Sequence, residues 1–131
     1  MSVPPTQADP CPCGRGPKYR SCCGPLHTGE RQAQTAEELM RSRYAAYAVA
    51  DADYLWRSWH PRTRPEHPHI DPDVRWTDLE VIDVVDGAAE DQTGVVEFRA
   101  HYLDAGERRV LRERSRFVVR GGRWLYLDGE I

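Results

Sequence analysis

Past residue 23 the chain contains no cysteine. Its four thiols, Cys11, Cys13, Cys22 and Cys23, all sit in one short stretch, CPCGRGPKYRSCC. No disulfide framework can therefore staple the remainder, whose stability must come from an ordinary core. Lysine is almost missing too. Lys18 stands alone beside seventeen arginines, and the net charge is −3, so no overall positive field draws the protein to nucleic acid. No stretch approaches the roughly 18 consecutive apolar residues of a membrane span. The opening MSVPPTQADP lacks the charged start and apolar run of a secretory signal. A cytoplasmic protein with reduced thiols and no membrane partner is expected. What is present is globular: 40% hydrophobic and 30% charged residues over 131 positions, the size of one domain with a small appendage.

The thiols follow the pattern C-x-C, eight residues, C-C. A disulfide between adjacent Cys22 and Cys23 strains one peptide bond, and Cys11 and Cys13 stand too close for relaxed geometry. Cross-pairing runs against a reducing cytosol, and no C-x-x-C redox motif is present. Zinc fits better: two close thiolate pairs separated by a loop can form a tetrahedron with metal–sulfur distances of about 2.3 Å. Gly14 and Gly16 permit positive-φ turns that free backbone N–H groups for the sulfurs. Arg15, Lys18 and Arg20 offset the negative charge of four thiolates. Pro10, Pro12 and Pro17 reduce the entropy lost on closing the loop.

The same stretch resembles the SEC-C zinc motif, with Cys11, Cys13, Cys22 and Cys23 on its ligand positions and Gly14, Gly16, Lys18 and Tyr19 matching its loop. That motif is best known from the tail of the SecA translocation ATPase, where it contacts a chaperone, so the resemblance implies a binding knuckle over residues 9–26. Closed four-cysteine coordination points the same way, because it leaves no position for water or substrate. The basic loop is expected to dock a protein or nucleic-acid partner.

Residues 24–34, GPLHTGERQAQ, are polar and read as a linker. Thr35 with Glu38 forms a capping-box pattern ahead of a helix carrying Leu39, Met40, Tyr44, Tyr47 and Ala48. Asp51 caps a second helix, ADYLWRSWH, which Pro61 ends. Residues 61–73, PRTRPEHPHIDPD, form a long irregular connection. The period then changes to two, and four strands follow: VRWTDLEVIDVVDG, TGVVEFRAHYLD, RRVLRERSRFVV and, after the turn at Gly121–Gly122, RWLYLDG. Helices followed by an antiparallel meander make an α+β domain over residues 35–131, with the helices on one sheet face.

In the third strand, inward Leu111, Phe117 and Val119 bring Glu113 and Ser115 inward with them. An inward carboxylate needs a partner. Arg41, Arg43 or Tyr44 on the first helix can supply it, either as a structural ion pair or as a ligand site.

The segments LMRSRYAAYAVADADYLWRSWHP, ERSRF and WLYLDG resemble the YchJ-like family of bacterial proteins. The resemblance implies a SEC-C knuckle ahead of a cone-shaped, cystatin-like domain similar to nuclear transport factor two and the SnoaL-like enzymes. It implies a second SEC-C motif at the C-terminus of many members, which this sequence does not have. It carries no activity with it. The favoured expectation is a zinc-binding interaction module fused to a cone that binds a ligand or dimerises. The pocket residues are taken to be Arg41, Tyr44, His60, Glu113 and Ser115. The alternative is a small-molecule isomerase, dehydratase or hydrolase with His60, Glu113 and Asp128 as catalytic candidates. His60 would stand at a helix C-terminus, where the dipole favours its protonated ring or where it caps a carbonyl. His67, His69, Asp71 and Asp73 form a further metal candidate set in the Pro-rich connection.

Overall fold

The structure is a computed structural model describing residues 8–131. A 3₁₀ turn at Tyr19–Ser21 precedes helices α1 (Gly24–Thr28), α2 (Ala36–Ala48) and α3 (Ala52–Arg57). Strands β1 (Val74–Asp86), β2 (Thr93–Asp104), β3 (Glu107–Arg120) and β4 (Arg123–Glu130) pair antiparallel in the order β1-β2-β3-β4. This is the expected α+β cone, with helices packed on a curved antiparallel sheet. The core joins Leu39, Met40 and Tyr44 of α2 to Leu79, Val96, Ala100, Phe117 and Trp124 of the sheet.

Local signals explain most of these elements. The Thr35 hydroxyl accepts the Glu38 N–H at 3.1 Å, and Asp51 accepts that of Tyr54 at 3.0 Å, so both helices start at side-chain caps. The capping box is altered: the Glu38 carboxylate takes the N–H of Gln34, not that of Thr35. Gly121 and Gly122, at φ 59° and 77°, make the tight β3–β4 hairpin. Curvature comes from bulges, where an extra residue bends one strand: two on β1, near Thr77 and Ile82, and one on β4 at Leu127.

The structure corrects two expectations about the helical half. Residues 24–34 are not a plain linker, because α1 buries Leu26 and His27 against the cone helices. Pro25 fixes φ for the first turn of that short helix, and Gly29 in the left-handed region ends it. Likewise α3 stops at Arg57, before Pro61. The chain then runs extended beside β4, with Trp59 bridging Tyr126, the His60 N–H donating to the Tyr126 carbonyl and the Tyr126 N–H donating to that of Ser58. No helix among the described residues is long and apolar enough to cross a membrane.

Candidate functional site

The four cysteine sulfurs lie within 4.8 Å of one another and all four residues are buried. The Cys13–Cys22 and Cys22–Cys23 Sγ distances are 3.5 and 4.0 Å. A tetrahedral ion with sulfur at about 2.3 Å sets sulfur–sulfur edges near ~3.8 Å, so the cluster is of the right size for a metal. The loop that builds it turns at Gly14 and Gly16, at φ 78° and 116°, and is closed by the Cys11 N–H donating to the Pro17 carbonyl at 3.0 Å. As free thiols the set is electrically frustrated. Hydrogen bonding from Cys11 pulls Cys13 down to about 2, while its bond to Cys13 pushes Cys11 up to about 12, and Cys23 is pushed up by its bond to Cys11. A cation held among the four sulfurs would favour their thiolate forms together.

The cluster does not stand free. It packs on Ala45 of α2. Arg41 donates to the Cys13 carbonyl at 2.8 Å, and Arg31 to that of Cys22 at 3.2 Å. His27 bridges the two parts: its Nε2–H donates to the Ser42 carbonyl at 2.8 Å, and its Nδ1 accepts from the Tyr19 hydroxyl at 2.6 Å. Burial lowers the His27 pKa and holds this neutral tautomer.

On the other side of α2 the cone holds a partly open cavity of about 200 Å³. Its walls are aromatic, chiefly Tyr44, Tyr47, Trp59, Trp76 and Tyr126, and its charged groups are Arg43 and Glu113. Arg43 is 6% exposed. Its Nη1 donates to the Leu55 carbonyl at 2.9 Å and the Ser58 hydroxyl at 2.7 Å, and its guanidinium lies over the rings of Trp59 and Tyr126. Glu113 accepts from Ser115 at 2.5 Å and from the Tyr126 hydroxyl at 3.1 Å. A Cβ on Gly129 would come within 2.6 Å of the Glu113 carboxyl carbon, so this glycine makes room for the carboxylate.

Of the expected pocket residues, Tyr44, Glu113 and Ser115 line the cavity; Arg41 and His60 do not. Arg41 and Arg43 are two positions apart, which on a helix sends them to different faces. Arg41 reaches the cysteine loop and pairs with Glu37, whereas Arg43 enters the cone. His60 alternates with Trp59 along an extended segment, so Trp59 turns inward and His60 outward. Its ring accepts the Arg62 N–H at 3.0 Å, and desolvation with the nearby Arg120 and Arg62 charges lowers its pKa, against the helix-dipole expectation. Asp128 also lies outside the cavity. Without the Leu127 bulge it would stand opposite Ser115, but the extra residue sets it opposite Arg116 on the outer face, where the two form an ion pair that lowers its pKa. His67, His69, Asp71 and Asp73 do not converge. Among the described residues the cysteines are the one group of three or more such donors close enough to share a metal. Arg43, Tyr47, Trp59, Trp76 and Tyr126 line the cavity without belonging to the expected pocket set; alternation with Trp124 along β4 is the sequence signal for Tyr126.

A cone with a cavity, carrying a four-cysteine cluster that could hold a metal against its first long helix, defines an NTF2-like protein with an N-terminal SEC-C motif. The family described as "YchJ, middle NTF2-like domain" matches residues 35–129, and the chain belongs to the YchJ-like family. It is 54% identical over 121 residues to a UPF0225 protein of Streptomyces coelicolor, covering 92% of this chain and 94% of the relative. A UPF0225 protein of Deinococcus radiodurans is 52% identical over 120 residues, covering 91% and 87%. The solution structure of a SEC-C motif containing protein from Rhodopseudomonas palustris matches with TM-score 0.81 and 36% identity, covering 92% of this chain and 97% of that one. A crystal structure of another from Psychrobacter arcticus matches with TM-score 0.78 and 25% identity, covering 93% and 82%.

Proposed function

We propose that this protein acts by binding a small organic ligand in its cone, with one structural zinc at Cys11, Cys13, Cys22 and Cys23 fixing the N-terminal segment to the cone. The observation that carries the reading is Arg43, a buried cation that forms no ion pair among the described residues, lining an aromatic cavity. A protein that needed only a core would gain by filling this space with apolar side chains. Zinc suits the metal site because soft thiolates in a compact tetrahedral set favour it, and four of them leave no position for activating water. A reducing cytoplasm keeps those thiols available. Catalysis is the weaker reading, since His60 and Asp128 lie outside the cavity that holds Glu113.

The expected partner surface on the knuckle, Arg15, Lys18 and Arg20, is exposed, while Arg41 turns inward and donates to the Cys13 carbonyl. An acidic partner docking there would weaken as salt rises. The central test is a fragment screen by NMR on the zinc-loaded full chain. Shifts should cluster on Tyr44, Trp59, Trp76 and Tyr126. If no fragment perturbs these residues, the cavity is a packing gap and the reading fails.

A further inference from the structure

We propose that the cone cavity selects a small flat molecule with a carboxylate at one end and a hydroxyl or amine donor at the other, the carboxylate meeting Arg43 and the donor meeting Glu113. This rests on the ligand-binding reading above and specifies its chemistry.

Arg43 uses its donors unevenly. Both hydrogen bonds of its guanidinium come from Nη1. No buried side-chain nitrogen or oxygen among the described residues lacks a partner, so Nε and Nη2 reach accessible space, and the space Arg43 lines is this cavity. Those two N–H groups form the side-on fork that matches a carboxylate bidentately. Glu113 does not fill that place. Its Oε2 is taken by Ser115 and Tyr126, and it makes no ion pair with Arg43. Opposite charges therefore share one low-dielectric space without meeting, and a molecule that joins them gains from both.

Size and shape narrow the class further. About 200 Å³ is below the roughly 300–1,000 Å³ of drug-sized sites. Tyr44 and Tyr47 set their rings against Trp76 at 5.9 and 6.1 Å, giving walls suited to a planar apolar body. A second hollow of about 230 Å³ shares Tyr47, Trp76 and Leu111 with the first and reaches His69 and Asp71, which leaves room for a substituent.

The test titrates 4-hydroxybenzoate, 4-hydroxybenzamide and benzoate into the zinc-loaded full chain, read by calorimetry and by NMR of the cavity residues. The expected result is that 4-hydroxybenzoate binds in the cavity, with the amide at least about tenfold weaker, as for loss of a charge-assisted pair. Gly129→Ala, which pushes the Glu113 carboxylate aside without straining the backbone, should erase the advantage of 4-hydroxybenzoate over benzoate and leave benzoate binding in place. Equal binding of acid and amide overturns the role given to Arg43, even where both bind in the cavity. A hydroxyl advantage that survives Gly129→Ala and Glu113→Gln overturns the role given to Glu113. Failure of all three probes while other fragments bind the cavity overturns this ligand class alone. Failure of every fragment removes the ligand-binding reading as well.

Discussion

Asp128 and Arg43 are both charged residues near the cone, yet their surroundings give them opposite weight. The Asp128 side chain is 42% exposed and pairs with an Arg116 more exposed still. Solvent screens such a pair, so Asp128→Asn should change stability by no more than about 1 kcal/mol. It should also leave every cavity resonance in place. Arg43→Ala removes two hydrogen bonds to Leu55 and Ser58 and the cation that lies over Trp59 and Tyr126. It leaves a hole and stranded acceptors, at a cost of about 3 kcal/mol or more. Urea unfolding of the two variants beside the parent checks both numbers. A large loss from Asp128→Asn would mean that the Leu127 bulge does not hold that residue on the outer face. The glycine at 129 belongs at this scale as well: the sequence shows only a small residue after an aspartate, and its purpose becomes visible when Glu113 is seen lying across it.

Among the elements, α1 is the one whose role the sequence hid. GPLHT is too short and polar to announce a helix, and its value lies in what His27 touches. The ring must stay neutral to accept from Tyr19 while donating to Ser42. Its pKa is lowered in the fold, so the unfolded chain binds the extra proton first as pH drops below the ordinary histidine value of about 6.5. Stability from this group is therefore full above that value and declines as pH falls through it toward the folded pKa. Thermal melting of the parent should show this decline between neutral and mildly acidic pH, and His27→Gln, which can donate and accept without titrating, should show less of it. If the two slopes coincide, His27 is not the group responsible. Period-two alternation, by contrast, made the strands legible nearly to their ends: TGVVEFRAHYLD is β2 as read, and the inward turn of Glu113 and Ser115 followed from Leu111 and Phe117. What alternation cannot show is a one-residue bulge. The one at Leu127 reversed the face of Asp128, and the extended run after Ser58 turned Trp59 in and His60 out. Both depend on long-range pairing, not on local preference.

At the scale of the whole molecule, α2 has two working faces. Ala45 and Arg41 hold the cysteine loop and Ser42 holds His27 of α1, while Met40, Arg43, Tyr44 and Tyr47 line the cavity. A knuckle tethered by a flexible linker would let chelation unfold residues 10–26 and spare the cone. The contacts here argue for a different outcome. Loss of the proposed zinc would remove the main organiser of a loop with little apolar surface of its own. It would also free Arg41, Arg31 and His27 from their partners and uncover Ala45 and Leu26, which packs with Ala46, Tyr54 and Leu55. Metal binding to the folded state is folding free energy, so its removal should lower the melting temperature of the entire chain. Hydrogen exchange should then rise in α2 and α3 as well as in the loop, while β2 and β3 keep the strongest protection. Cys13→Ser should reproduce the effect of chelation without a chelator. Metal analysis that finds well under one zinc per chain would remove the premise. Exchange confined to residues 10–26, with the melting temperature unchanged, would show that α2 does not carry the state of the cysteine loop into the cone.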